Sequence, residues 1–261
     1  MPRELTPSFC APLTLTECLA QLDEHGFDPA DELSLQHAAS LLTGLAANRG
    51  FLGDLLVDLL AGADDQASGY GPQAIMLAGP RNGYFLRANI WPARGDPAFE
   101  ASGAASFVYG LPHDHNFDFL TVGYFGPGYV SDYWEYDYAS VSGEVGEHVD
   151  LRFVERSRLR ERRVLHYRAH RDVHCQHPPE SLSVSLNICA ANPAQGWFDQ
   201  YRFDTETGRI AGVLNASANE VLLRLGVALG GEDARHCAQH FATHHPSAAM
   251  RRVASTMIRS E

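Results

Sequence analysis

The chain has 261 residues, 45% of them hydrophobic and 20% charged, a globular composition long enough for one large domain. Acids outnumber bases 32 to 20, and a net charge of −12 repels phosphate backbones, which sets nucleic acid aside as an expected partner. All 20 bases are arginine, and without lysine there is no Schiff-base chemistry, pyridoxal-phosphate anchoring or P-loop.

No apolar run approaches the length of a membrane span, and no basic region precedes an apolar core at the N-terminus, so neither membrane nor secretory signal is expected. Cys10, Cys18, Cys175, Cys189 and Cys237 never form Cys-x-x-Cys, which points to a reducing, cytoplasmic setting without a disulfide framework.

Residues 14–62 read as helical. Thr14-Leu-Thr-Glu17 has the form of a capping box, and Leu33, Leu35, Ala38, Leu41, Leu42 and Leu45 recur near a helical period. A loop is expected over 62–71. From about residue 75 to 210 short aromatic and β-branched runs alternate with Gly and Pro, as at 84–91, 119–125, 149–154, 164–167 and 182–189. That pattern predicts an antiparallel sandwich or small barrel. Helices return at 219–229 and 232–244, the latter stopped by Pro246, followed by a last short helix. The expected division is an N-terminal helical segment over 1–72, a β-barrel over 73–212 and C-terminal helices over 213–261.

Histidine is over-represented, with 13 copies. In His113-Asp-His115 the two imidazoles, two residues apart on an extended segment, face one side and can share one metal. Incidental surface histidines would give the same spacing. A third histidine follows about 60 residues later in Asp172-Val-His174, before the strand-like Ser183-Val-Ser-Leu-Asn187-Ile. Three protein ligands leave positions open for substrate or O2, as catalytic sites require.

Pro112-His-Asp-His115, Val173-His174, Val184-Ser-Leu-Asn-Ile188 and Phe203-Asp-Thr-Glu-Thr-Gly208 together resemble the cupin superfamily, and cysteine dioxygenase with related thiol dioxygenases in particular, over roughly residues 84–210. The resemblance implies a mainly β fold, a cupin-type antiparallel β-barrel (double-stranded β-helix) flanked by N- and C-terminal α-helices. It implies Fe(II) held by His113, His115 and His174, and an O2-dependent oxygenase acting on a small thiol or amino acid. Most cupins carry a Glu four or five residues after the second His; here Phe119 and Leu120 stand there, which leaves a three-histidine set. By the same resemblance Arg87 would clamp a substrate carboxylate, and Tyr124, Tyr129 and Tyr167 would be phenols near the metal.

Several alternatives stay open. His170 and His177 compete with His174 for the third place. A cupin hydroxylase or oxidase acting on an amino acid or peptide, and a non-catalytic metal-binding cupin, carry the same residues. His170-Arg-Asp172 resembles the His-x-Asp of 2-oxoglutarate oxygenases, but that reading leaves His113 and His115 without a role. The expected partners are a small-molecule or peptide substrate and O2; the sequence sets no oligomeric state. His236, His240 and His244 share a helix face, and Arg156, Arg158, Arg160 and Arg162 alternate as one face of a strand, expected to be a solvated hairpin face paired with Glu155 and Glu161 or else a patch for an anionic partner. The aromatic stretch 126–138 would either line a substrate pocket or pack over the barrel mouth.

Overall fold

The computed structural model describes residues 2–61, 73–214, 218–245 and 247–259; the loop expected over 62–71 lies outside them. A short β1 (Arg3–Leu5) precedes three helices, α1 (Leu15–His25), α2 (Glu32–Ala47) and α3 (Phe51–Leu60). The capping box of α1 is present: the Glu17 N–H donates to the Thr14 hydroxyl, and the Thr14 N–H donates to the Glu17 carboxylate. Asp31 caps α2 through the Leu33 N–H.

The strands follow: β2 (Ala74–Arg81), β3 (Tyr84–Trp91), a short α4 (Pro97–Ser102), β4 (Phe119–Phe125), β5 (Val130–Glu135), β6 (Arg152–Arg158), β7 (Val164–Tyr167), β8 (Asp172–His177), β9 (Ser183–Ala190), β10 (Tyr201–Asp204) and β11 (Arg209–Val213). They pair in a six-stranded sheet ordered β1-β7-β4-β9-β3-β2, a three-stranded sheet β6-β5-β8 and the hairpin β10-β11. Every pairing is antiparallel. The fold is therefore mainly β with helices at both ends, as expected, but among the described residues hydrogen bonding is divided among three sheets and does not run around one closed barrel. Between β8 and β9 the chain crosses sheets at Pro178-Pro179, where two missing N–H groups end the ladder.

Strand alternation gives the large sheet two unlike faces. Tyr84, Leu86 and Ala88 of β3, Leu120, Val122 and Tyr124 of β4, and Leu186 and Ile188 of β9 pack on Leu35, Leu42 and Leu45 of α2 in one apolar core. The opposite face carries cross-strand rows. Phe85, Cys189, Phe119 and Tyr167 form one, and Arg87, Asn187 and Thr121 the next. This second face meets Tyr133 of β5 and Tyr129 in a second, aromatic core. Approach of the two sheets depends on Gly128, at φ +77, where a Cβ would fall 1.8 Å from the Leu159 carbonyl oxygen.

The strand expected at 149–154 begins later, at Arg152, and ends at Arg158. Arg160 and Arg162 lie beyond it, with Arg162 at φ 63, so the four arginines are not one strand face. Arg156 pairs with Asp132 and Arg158 with Glu180. The final helices, α5 (Ala218–Leu229), α6 (Glu232–His244) and α7 (Ala248–Arg259), build a small core of their own around Leu223, Ala238, Met250 and Ala254. No described helix is long and apolar enough to cross a membrane.

Candidate metal centre

His113 lies in an extended segment rather than in a ladder strand, and a single antiparallel bridge joins it to His174 of β8. The His113 N–H donates to the His174 carbonyl at 3.0 Å and the His174 N–H returns to His113 at 2.9 Å. This reciprocal pair sets two imidazoles side by side across 61 residues of sequence. His115, two residues on, faces the same side, and its carbonyl is held by the His170 N–H at 2.8 Å. Asp114 between them points away and is buried. It accepts from the Tyr136 hydroxyl at 2.5 Å and from the Tyr201 N–H at 2.6 Å.

The three Nε2 atoms converge. His174 Nε2 lies 3.1 Å from that of His113 and 3.1 Å from that of His115. Three nitrogens bound to one ion at about 2.1 Å and at right angles would sit roughly 3.0 Å apart. The set therefore fits a single ion bound on one face, and among the described residues it is the only such cluster of three. His113 Nδ1–H donates to the Leu111 carbonyl at 2.7 Å, which leaves its Nε2 lone pair free. The His174 ring is held from its other nitrogen, Nδ1 lying 3.0 Å from the Gln176 carboxamide nitrogen.

Burial holds all three rings neutral, as ligands must be. It pushes His113 down to about 4, against a partial opposing pull from the Leu111 carbonyl. Burial, then the neighbouring imidazoles, then Arg87 push His174 well below the ordinary range, and His115 shifts the same way.

A cavity of about 390 Å³ opens on the triad. Arg87, Asn89 and Trp91 reach it from alternate positions of β3, with Phe117, Phe119 and Tyr129 supplying aromatic wall. A larger cavity, about 490 Å³, lies beyond Phe117, which borders both, but contains none of the three histidines.

The structure thus brings together His113, His115, His174 and Arg87. Tyr167 is just behind: its ring is 4.8 Å from that of His174, and its hydroxyl pairs with Tyr133 at 2.9 Å. Tyr124 is not at the site. It stands on the helix-packed face of β4, its hydroxyl donating to the Arg49 carbonyl at 2.8 Å, because it shares the parity of Leu120 and Val122 rather than that of Phe119. His170 lines the second cavity against Tyr138, and His177 is paired with Asp132 at 2.8 Å, so neither joins the triad. Of the aromatic stretch 126–138 only Tyr129 lines the triad's cavity. The rings of His240 and His244 stack 4.6 Å apart, away from any three-residue cluster. Sequence reasoning passed over Asn89 and Gln176. Both share strand parity with residues it did single out, Arg87 and His174, and that parity was the available signal.

No protein-family model matches the chain, and no curated protein does. Among solved structures, hydroquinone 1,2-dioxygenase PnpCD in complex with Cd2+ and 4-hydroxybenzonitrile overlaps at 11% identity, covering 48% of this chain and 68% of that one, with a TM-score of 0.29. A cupin domain from Bordetella pertussis Tohama I overlaps at 13% identity over 48% of this chain and 100% of its own, TM-score 0.26. The DMSP lyase DddQ from Ruegeria pomeroyi DSS-3 overlaps at 11% identity over 74% of this chain and 78% of its own, TM-score 0.29. Overlaps this loose set neither metal nor substrate for this chain.

Proposed function

We propose that this protein is a metal-dependent enzyme of cupin type, a mononuclear non-heme Fe(II) oxygenase that uses O2 on a small, carboxylate-bearing substrate. The observation that carries the reading is the convergence of three Nε2 atoms, 3.1 Å apart in two of their pairs, at the wall of a cavity. His113, His115 and His174 would hold the metal, which when bound supplies adjacent open positions and one-electron chemistry. A set of three imidazoles also accepts zinc, nickel or copper, and Fe(II) is favoured by the resemblance to three-histidine dioxygenases.

The chain's own residues prepare the rest. Arg87 presents a guanidinium that pairs bidentately with a carboxylate. Phe117, Phe119 and Trp91 line the same cavity as Arg87 and the imidazoles and give it an apolar wall against which a bound substrate would be packed. Tyr167 and Tyr133 brace the His174 ring from behind through their shared hydrogen bond.

The test is elemental analysis of protein purified without oxygen, wild type beside His113→Ala, followed by O2 uptake with thiols and carboxylic acids. One iron per chain, lost in the variant, is expected. A wild-type chain that takes up no metal even after Fe(II) reconstitution would leave the histidines structural and overturn the proposal.

A further inference from the structure

The cavity wall is lopsided in charge. Among the described residues it holds one fixed cation, Arg87, and five carboxamides, Gln73, Asn89, Gln176, Asn187 and Gln200, but no Asp or Glu. Several of these groups are buried and unfinished. Arg87 Nε has no hydrogen-bond partner, and Asn89, 8% exposed, leaves Oδ1 without one. Gln176, 4% exposed, spends one carboxamide atom on His174 and leaves the other unpaired. Buried polar atoms without partners cost stability, and where they gather on one wall a ligand is the natural completion.

We infer that the substrate is a monoanion whose second polar group is neutral, an amide or a hydroxyl, and that the cavity selects against a free α-amino acid. This inference rests on reading the cavity as the substrate site of the three-histidine centre. An ammonium brought into this wall would lose its hydration without meeting a carboxylate, and would face the charge of Arg87. The unpaired atoms of Asn89 and Gln176 are the carboxamide oxygens Oδ1 and Oε1, both acceptors, so they match the N–H of an amide or the O–H of a hydroxyl. The volume agrees. About 390 Å³ holds about 13 water volumes at ~30 Å³ each, more than a small amino acid fills. Trp91, Phe117, Phe119 and Tyr129 offer flat apolar surface to the remainder.

Three probes of nearly one shape separate the possibilities: N-formyl-L-phenylalanine (an anion with an amide), L-phenylalanine (a zwitterion) and L-phenylalaninamide (a cation). Their dissociation constants are to be measured by calorimetry on the metal-free and the Zn(II)-loaded protein. The N-formyl acid is expected to bind at least tenfold more tightly than phenylalanine in both forms, with the cation weakest. Arg87→Met is expected to lose at least tenfold on the N-formyl acid. Asn89→Asp, which adds a carboxylate beside the guanidinium, is expected to erase the preference by admitting the ammonium. Circular dichroism and Zn(II) uptake confirm that each variant is folded. A preference below tenfold, a preference that survives Asn89→Asp, or no binding of the N-formyl acid at millimolar concentration overturns the inference. Zn(II) titration of His113→Ala without any probe tests the metal reading separately. Metal uptake that survives there sinks that reading, while the charge preference of the metal-free protein stands or falls alone.

Discussion

Asp114 sits between two of the histidines yet faces the other way, and the structure makes its contribution measurable. Its carboxylate is fully buried, with Tyr136 Oη at 2.5 Å and the Tyr201 N–H at 2.6 Å as donors. Burial raises the carboxyl to about 7, and the two donors pull it back toward the charged form. Tyr136→Phe removes one donor and leaves Asp114 short of a charge-assisted bond, which costs about 1.5–3 kcal/mol. Asp114→Asn keeps the shape but sets an amide NH2 against one of two donors, at a similar cost. Both substitutions strike the same bond, so the double variant is expected to fall short of the sum by about 1–2 kcal/mol. At about 2–4 °C per kcal/mol for a chain of this size, Tyr136→Phe lowers the unfolding midpoint by about 3–12 °C. Urea and thermal unfolding of the four metal-free proteins complete the cycle. Costs that add to within about 0.5 kcal/mol would show that Tyr136 does not anchor the segment through Asp114.

Gln176→Leu removes the partner of His174 Nδ1 and is expected to weaken metal binding about 10–100-fold, read by competition with a chelator; undiminished affinity would deny Gln176 its part in orienting that ring. Acid is expected to destabilise the metal-free protein. His113 and His170 are held by burial at about 4 against 6.5 for the free side chain, so the unfolded chain takes up protons first. That stability is whole above pH 6.5 and is lost as pH falls through 4, the buried His113 alone accounting for about 3 kcal/mol; equal urea stability at about pH 7 and about pH 4.5 would refute it. Arg87→Met replaces a buried, unpartnered Nε with an apolar atom of similar reach, and a gain of about 0.5–2 kcal/mol in unfolding free energy is expected. A loss of stability would mean that Arg87 already has its partner inside the protein.

Much of this arrangement is legible in the sequence because strand and helix periods are local. The Thr14 capping box, the apolar spacing of α2 and the shared facing of His113 and His115 follow from spacing alone. So does the parity that puts Tyr124 with Leu120 and Val122, against the expectation that it sits near the metal. What spacing cannot supply is register between distant segments. Nothing near His174 in the sequence says that it, rather than His170 or His177, meets His113. Two backbone hydrogen bonds across the sheet interface decide that, and Asp132 on β5 claims His177. The Arg156 series fails for a related reason: alternation continues through 162, but the strand stops at Arg158, where the chain turns past Gly128 and Arg162 takes a positive φ. Tyr167 is intermediate. Its parity puts it on the inner face, but its bond to Tyr133 depends on how the second sheet docks.

The two faces of the large sheet divide the work of the molecule. On the helix side, Leu86, Leu120, Leu186 and Ile188 are entirely buried against Leu35, Leu42 and Leu45, and burial of that kind is worth about 1.5–3 kcal/mol per side chain. On the other side the same strands carry Arg87, Asn89, Asn187 and Thr121, and unpartnered atoms of three of these are buried there. A sheet selected for stability alone would not keep them, since each unpaired group costs about 1–3 kcal/mol. Because alternation fixes the two sets on opposite faces, the apolar residues of a strand can offset the cost of its polar ones without either set altering the position of the other. That independence lets one face of the large sheet carry an unfinished polar wall beside the three-histidine centre while the other face is packed for stability.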